Sequence, residues 1–423
     1  MESWQMSSID VARGVRARAF SAQEATRSVL QRVTEVDPGV NASAEAFLTA
    51  GEVIGARSRM TAPVDPADGW SAEEAGPRKE HHGQLHRPCG RATVTAAIGT
   101  VPLGSSPLSV SAFVFGAGGI GGVGSSPATR GFGLSPEDGS DRLGEAAALG
   151  VTTIDTADSY GDGASEATVG RWVRDAADER TVIMTKAGIT YDGGTPPTNL
   201  SAEYLRQQCA QSVERLGRVD VFLAHAPDPR TPWPETVQAL SDLQGEGVIS
   251  AWGVCNVGLE ALSTILRAAD ERGRTRPAVV QNRFNLLDRH GETTVLPLLM
   301  SEGIAFTPFS PLAGGILSER YLDGAVPQPG SRLAATEQVY YRGFRSKANL
   351  ERIEELRELG RDREASVSGL ALAWLRQHPA VTAPIVSPRS PDQWEAVTEA
   401  AALRLGQDDW DTVSRLFAPD GFQ

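Results

Sequence analysis

The chain has 423 residues and a formal net charge of −13, with 40% hydrophobic and 22% charged residues. This length accommodates one large domain with an added segment, and the composition supports a sizeable core. The acidic balance argues against nucleic-acid or anionic-membrane partners, because phosphate binding needs basic side chains. Apolar runs are too short to span a membrane, and residues 1–7 lack the basic and apolar regions of a secretory signal. We therefore expect a cytoplasmic protein.

Residues 1–96 differ in composition from the remainder. Ser21 and Glu24 form a capping box that predicts a helix, which ends at Asp37-Pro38-Gly39. Residues 61–91 are rich in Pro, Gly, Ala and charge, which predicts disorder. We predict an N-terminal extension over 1–96, partly helical and partly disordered, and a second domain over 97–423.

Two features of the extension could suggest chemistry. Residues 21–46 resemble the N-terminal helix of amidase-signature enzymes, but the Ser-Ser-Lys machinery of that family has no counterpart, so amidase activity is not predicted. His81, His82 and His86 lie near Cys89. In a stretch rich in Pro, Gly and charge we interpret them as a solvated linker, and we predict no metal site. The three scattered cysteines of the chain predict no disulfide framework.

From residue 97 onward, apolar runs of strand character alternate with helical patterns. Gly104–Val110 predicts a hairpin-sized turn. The predicted strands are 113–116, 152–155, 182–186, 219–225, 250–254, 278–281, 304–309 and 383–386. The predicted helices are 136–149, 166–177, 202–216, 234–245, 259–272, 292–301 and 349–376, with another after Pro391. This alternation over roughly 300 residues predicts a (β/α)₈ TIM barrel, an α/β fold, in preference to a doubly wound sheet.

A glycine-rich stretch follows the first predicted strand. Gly116–Gly121 fits the G-x-G-x-x-G pattern of dinucleotide-binding folds. The chain continues as Gly122–Pro127, which cannot begin the helix that would hold a pyrophosphate. We therefore interpret the stretch as a flexible loop at the barrel mouth. A short-chain reductase is also disfavoured, because no lysine follows a tyrosine at the spacing Tyr-x-x-x-Lys.

Three successive predicted strands end in a reactive side chain. Asp155 ends the second strand, Lys186 the third and His225 the fourth, while Tyr160 follows Asp155 in the next loop. The C-terminal ends of parallel strands in a barrel converge on one face. Each residue alone has a common structural role, as a helix cap, a surface lysine or a turn histidine. Their ordered occurrence favours a shared site, the more so because Lys186 is one of only three lysines in a chain that otherwise uses arginine.

These four side chains suit the reduction of a carbonyl group. A phenol with a pKa of about 10 is a poor acid at neutral pH, and a nearby ammonium favours the phenolate and lowers that pKa. Asp155 would keep Lys186 charged, His225 would orient the substrate oxygen, and Tyr160 would act as general acid toward the developing alkoxide. A hydride donor must be a cofactor, because no side chain supplies hydride.

The segments around these residues resemble the aldo-keto reductase family over about residues 103–405. The matching segments run in family order and lie at 155–161, 185–186, 225–228, 252–256, 281–289 and 309–315. The resemblance implies a (β/α)₈ barrel and reversible, NADP(H)-linked reduction of an aldehyde or ketone, with NAD(H) left open. It also implies Tyr160 as general acid, Lys186 and Asp155 as the residues that tune it, and His225 as the residue that orients the substrate.

The resemblance further assigns cofactor and substrate contacts. The implied cofactor-binding residues are Asn256 and Gln281 at the nicotinamide carboxamide, Phe309 stacked on the nicotinamide, Ser310 and Leu312 along the pyrophosphate, and Ser387, Arg389 and Gln393 at the adenosine end. Arg389 suits a 2′-phosphate and favours NADP(H) over NAD(H). The implied substrate pocket includes Gly118, Trp233 and Tyr340. The oligomeric state is not predicted.

A non-enzymatic alternative remains open within the same resemblance. The family includes channel-associated members, so the chain could be an NADP(H)-binding regulatory or channel-type subunit with little turnover. The N-terminal extension would then contact the partner. A complete set of four acid-site residues favours the enzyme.

Overall fold

The computed structural model describes residues 98–125, 132–176, 178, 180–190, 198–327, 333–334 and 340–418. The predicted extension over 1–96, with its amidase-like segment and its histidine-rich stretch, lies outside these residues. The boundary between the extension and the second domain therefore stays a prediction.

Eight parallel strands form one sheet, in which the first seven pair in chain order and the eighth pairs with the first. The two edges of this sheet are also joined, because Thr382 N donates to Phe306 O at 2.8 Å and Ile385 N donates to Pro308 O at 2.9 Å. The sheet thus closes, and the predicted (β/α)₈ barrel is confirmed. The strands are β3 Val114–Gly116, β4 Thr153–Asp155, β5 Val182–Ala187, β6 Val221–Ala224, β7 Ala251–Cys255, β8 Val279–Gln281, β9 Ala305–Phe306 and β10 Ile385–Val386.

Helices alternate with these strands and cover the outside of the barrel. They are α1 Pro136–Ala148, α2 Ala164–Ala176, α3 Ala202–Leu216, α4 Trp233–Gly245, α5 Leu259–Glu271, α6 Val295–Glu302, α7 Lys347–Arg361, α8 Val367–Gln377, α9 Trp394–Ala402 and α10 Gln407–Leu416. The helix following β4 is preceded by a 3₁₀ turn over Tyr160–Gly163. Within the described residues, no helix is both long and apolar enough to cross a bilayer.

The single helix predicted over 349–376 is wrong, since α7 and α8 are separate. Glu364 takes a left-handed conformation with φ 53°, which a continuous helix does not permit. The Ser366 hydroxyl then accepts a hydrogen bond from Gly369 N at 2.9 Å and begins α8 as its N-cap. The helical periodicity persists across this interruption, which is why the pattern alone does not reveal it.

An antiparallel hairpin covers the N-terminal end of the barrel. Strands β1 Thr100–Pro102 and β2 Ser109–Ser111 pair around the predicted turn, which is confirmed. Leu103 and Val110 are fully buried and belong to the same apolar cluster as the barrel-interior residues Val114, Met184 and Val221. Because the hairpin fills this end, polar side chains that point into the barrel gather at the opposite end.

Alternation along the strands separates two apolar layers. Met184 and Leu223 belong to the barrel interior, whereas Ile154, Phe222 and Trp252 pack outward under the helices. Side chains along a strand alternate between its two faces. Asp155 directly follows outward-facing Ile154, and Lys186 lies two positions after inward-facing Met184, so both face into the barrel.

Candidate active site

Strand register brings the predicted acid site together at the C-terminal end of the barrel. Asp155 ends β4 and lies opposite Met184 of β5, while Lys186 of β5 lies opposite Leu223 of β6. His225 directly follows β6, and its backbone N–H donates to Ala187 O at 2.8 Å. Ordinary parallel pairing therefore places these side chains on neighbouring strands at one level of the barrel.

The Lys186 ammonium is the hub of the site. Its Nζ donates to Asp155 Oδ2 and to Thr156 O, each at 2.7 Å, and to Tyr160 Oη at 3.2 Å. The side chains of Lys186 and Asp155 are 0% and 4% exposed. The second carboxylate oxygen, Asp155 Oδ1, accepts from Gln281 Nε2 at 2.9 Å. Three acceptors match the three donors of an ammonium, so both buried charges are satisfied.

Electrostatics hold this lysine charged. Burial by itself lowers the pKa of Lys186, but the Asp155 carboxylate and Tyr160 raise it, and the net pKa lies above its ordinary value. Burial raises the pKa of the Tyr160 phenol, and the Lys186 ammonium opposes that rise. The influence of the lysine thus has the predicted sign, but the predicted net lowering of the tyrosine pKa is wrong, because desolvation is the larger effect.

The His225 ring lies edge-on to the Tyr160 ring, with centroids 5.6 Å apart and planes at 78°. His225 is 6% exposed, and its Nδ1 has no hydrogen-bond partner among the described residues. Burial and, secondarily, the Lys186 charge hold the pKa of His225 well below its ordinary value. The imidazole is therefore neutral near pH 7 and offers one N–H donor.

A second buried acidic cluster lies behind the tyrosine, and sequence analysis missed it. The Glu166 carboxylate is fully buried, accepts from Thr185 Oγ1 at 2.6 Å and pairs with the Arg215 guanidinium. Asp158 is 8% exposed, and its Oδ1 has no partner within the described part of the chain. Burial and then the Glu166 charge raise the pKa of Asp158 to about 8. The sequence does contain a signal, the second acid of Asp-Thr-Ala-Asp.

The glycine-rich stretch after β3 is tied into the barrel mouth by backbone hydrogen bonds. Gly124 N donates to Gly118 O at 2.7 Å, Gly121 N to Leu134 O at 2.9 Å, and Leu134 N to Gly119 O at 2.7 Å. A mouth position is as predicted, and these bonds give the loop a defined path. Up to Ser125, where the described part of this stretch ends, no helix begins, in agreement with the prediction.

The two amides assigned to the nicotinamide lie beside the acid site. Gln281 is 3% exposed and shares Asp155 with Lys186. Asn256 follows β7 with φ 57°, is exposed, and donates through Nδ2 to His225 O at 2.9 Å. Gln281 thus joins Asp155 of β4 to the end of β8, and Asn256 joins His225 to the loop after β7. Cys255, the last residue of β7, directly precedes Asn256. It is 1% exposed, and burial raises the pKa of its thiol.

The residue assigned to stack on the nicotinamide and those assigned to the pyrophosphate follow β9. Phe309 packs against the barrel-interior cluster, and its N–H donates to Asn282 O at 3.1 Å. Ser310 has φ 55° and its Oγ lies 2.8 Å from the hydroxyl of buried Tyr341. Leu312 packs against the outer core. The loop therefore presents Phe309 toward the barrel axis and is fixed from outside by Tyr341.

Comparison with known proteins decides the family. A sequence model described as aldo/keto reductase family matches residues 114–417. The chain belongs to the aldo/keto reductase family. The matched span contains every closing contact of the barrel and all four residues of the predicted acid site. The amidase-like segment at 21–46 lies outside this span and receives no support.

Individual relatives of the chain include proteins named as reductases and proteins named as channel subunits. An NADH-specific methylglyoxal reductase of Escherichia coli is 29% identical over 74% of this chain and 96% of its own. A versiconal hemiacetal acetate reductase of Aspergillus parasiticus is 28% identical over 75% and 96%. A putative voltage-gated potassium channel subunit beta of Schizosaccharomyces pombe is 31% identical over 58% and 73%.

The remaining assigned residues follow β10, begin α4 or lie at the surface. Ser387 follows β10 and lies against β3, since a Cβ on Gly116 would be 2.4 Å from its Oγ. Arg389 N donates to Gln393 Oε1 at 2.9 Å, which shapes the turn into α9. Trp233 packs against the outer core at the start of α4. Tyr340 is 53% exposed.

Proposed function

We propose that this chain is an NADP(H)-dependent reductase of an aldehyde or ketone, working reversibly. The observation that carries the proposal is the single ammonium of Lys186, which contacts Asp155, Thr156 O and Tyr160 Oη together. A phenol in contact with a permanently charged lysine can release its proton and leave a stabilised phenolate. The family and its reductase relatives support an oxidoreductase, and the site geometry supports these roles.

The reaction proceeds by coupled hydride and proton delivery. When bound, the cofactor supplies the hydride that adds to the carbonyl carbon. Tyr160 donates its Oη proton to the carbonyl oxygen as that oxygen becomes an alkoxide. Lys186 stabilises the phenolate, and Asp155 keeps Lys186 oriented. Neutral His225 donates its one N–H toward the same oxygen, and solvent returns the proton to Tyr160.

The residues at the mouth fit a nicotinamide cofactor. Gln281 uses its N–H on Asp155, so its carbonyl oxygen can accept from a carboxamide, and exposed Asn256 offers the complementary amide. Phe309 at the barrel axis offers an aromatic face. Arg389 supports the 2′-phosphate of NADP(H). The relative named NADH-specific makes NADH the competing outcome.

The test is a turnover assay with NADPH and NADH in parallel against a panel of aldehydes and ketones, followed by nicotinamide absorbance. We expect NADPH to be consumed and Tyr160→Phe to lower kcat by about 10²- to 10⁴-fold, because it removes the acidic hydroxyl. The matched control is Tyr204→Phe on α3, which should retain wild-type turnover. Undiminished turnover in Tyr160→Phe would refute the role of Tyr160, and faster turnover with NADH would refute the cofactor preference.

A second candidate is a cofactor-binding subunit with little turnover. It is favoured by the similarity to proteins named as potassium channel beta subunits. Tight NADPH binding without turnover on any carbonyl of the panel would support it. The complete lysine-centred site favours the reductase, since a pure binding module does not require a tuned acid.

A further inference from the structure

The glycine-rich loop Gly116–Ser125 contacts three consecutive residues centred on Tyr160. The Oγ of Ser125 lies 2.9 Å from that of Ser159. Gly121 lies against Gly161. A Cβ added to Gly161 would lie 3.0 Å from Gly121 C, and the φ of 58° at Gly161 is itself unfavourable for a residue with a side chain. The residue before the tyrosine and the residue after it are therefore both held by the same loop.

The ring of Tyr160 itself is the third contact. A Cβ built on Gly118 would lie 3.2 Å from Cε2 and 3.4 Å from Cζ of Tyr160. The backbone of Gly118 therefore faces the ring edge that carries the hydroxyl, at a separation where even a methyl group fits only if its neighbour gives by a few tenths of an ångström. The Gly118 carbonyl is fixed in turn by Gly124 N at 2.7 Å.

Two groups of the acid site also contact the same ring. Lys186 Nζ lies 4.7 Å from the ring centroid, and the His225 ring packs edge-on at 5.6 Å. Gly118 thus completes an enclosure of the ring by three groups. The hydrogen bond from Lys186 to Tyr160 Oη, at 3.2 Å, is longer than its other two at 2.7 Å. A displacement of the ring would therefore weaken this contact first.

We propose that the glycine-rich loop positions Tyr160, and that Gly118 sets the distance between the phenol and Lys186. The inference rests on the proposed function, because it assigns a positioning residue to the proposed acid. It explains the G-x-G-x-x-G spacing without assigning the loop to a pyrophosphate. The glycines allow the backbone to lie directly against Tyr160 and Gly161, where side chains would intervene.

The neighbouring glycine provides a matched control. A Cβ on Gly119 would meet nothing within 4 Å, and its φ lies outside the left-handed region. Gly119→Ala therefore makes the same chemical change in the same loop without touching the tyrosine. Gly118→Ala must displace the ring by a few tenths of an ångström.

The experiment measures kcat, NADPH affinity and the pH profile of kcat for the full-length wild type and both variants. We expect Gly118→Ala to lower kcat about tenfold, with NADPH affinity unchanged. Its alkaline limb should move to higher pH, because displacement of the ring weakens the hydrogen bond from Lys186 that lowers the pKa of the phenol. Gly119→Ala should match the wild type. A Gly118→Ala enzyme with wild-type kcat and limb, or equal losses in both variants, would overturn the inference.

Two further measurements keep the test decisive. If Gly118→Ala does not fold, Ser125→Ala removes only the hydroxyl contact to Ser159. It should shift the alkaline limb upward by a smaller amount, and an unchanged limb would then reject the inference. If the wild type reduces no carbonyl, the proposed function fails, yet phenolate absorbance still tests the contact. The titration of Tyr160, taken as wild type minus Tyr160→Phe, should lie at higher pH in Gly118→Ala, and an unchanged titration would overturn the inference.

Discussion

The side chain of Asp158 opposes folding when it is ionised, whereas its backbone supports the geometry of the site. Its carboxyl lies two positions before the proposed acid, is 8% exposed and faces the charge of Glu166. Its backbone N–H meanwhile donates to Lys186 O at 3.0 Å, which fixes the start of the tyrosine loop. The main chain of Asp158 therefore serves the site, whereas its ionised side chain would oppose folding.

Replacing this carboxyl should change how stability depends on pH. The pKa of Asp158 rises from 3.8 to about 8 on folding, so between these values the folded chain holds a proton that the unfolded chain releases. The free energy of unfolding therefore falls with rising pH, by about 1.4 kcal/mol per unit at most. Asp158→Asn should remove this slope and be the more stable protein at pH 8. Urea unfolding at pH 5 and pH 8 checks this, and parallel changes in both proteins would contradict it.

The four acid-site residues were predictable from sequence, but their neighbours were not. Asp155, Lys186 and His225 each end an apolar run, and parallel strands bring such ends together without further information. Asp158 and Glu166 lie in loop and helix, where burial depends on packing by α3 and its Arg215. The net pKa of Tyr160 likewise depends on desolvation, which no spacing of residues encodes.

At the scale of elements, Glu166 fastens α2 to both of its neighbours. It accepts from Thr185 on β5 and pairs with Arg215 on α3. Glu166→Ala would leave the Arg215 guanidinium without this partner, so we expect a loss of about 3 kcal/mol in the free energy of unfolding.

The control for Glu166 is a pair that water already solvates. Glu358 and Arg361 on α7 are 55% and 61% exposed, so Glu358→Ala should cost well under about 1 kcal/mol. Denaturant unfolding of the two variants compares them directly. Equal losses would show that burial of the Glu166 pair contributes nothing.

Elements were predicted well where apolar periodicity alone sets them and poorly where one residue breaks the pattern. Every predicted barrel strand corresponds to an observed one, since each is an apolar run between turns. The division of 349–376 depends on the left-handed Glu364 and on the Ser366 cap, and neither disturbs the apolar spacing. The closing bonds at Thr382 and Ile385 are equally invisible in a single sequence.

At the scale of the whole molecule, residues 98–418 contain the proposed site, the hairpin that covers the N-terminal end of the barrel, and the hydrogen bonds that close the sheet. The hairpin, the sheet and the lysine-centred contacts lie together in this span. We therefore expect a chain that starts at Ala97 to keep the NADPH turnover and the unfolding midpoint of the full-length protein. Side-by-side assays and urea unfolding measure both, and a loss of either would assign residues 1–96 a direct role in the barrel.

The use of arginine throughout the chain makes Lys186 a natural spectroscopic probe. The protein holds only three lysines, of which Lys347 is 91% exposed and Lys186 is fully buried against Asp155. Isotope-labelled lysine would thus give a three-signal magnetic resonance spectrum. The ammonium beside the phenol would then report cofactor arrival, substrate arrival and proton transfer directly, without a substituted residue or an attached dye.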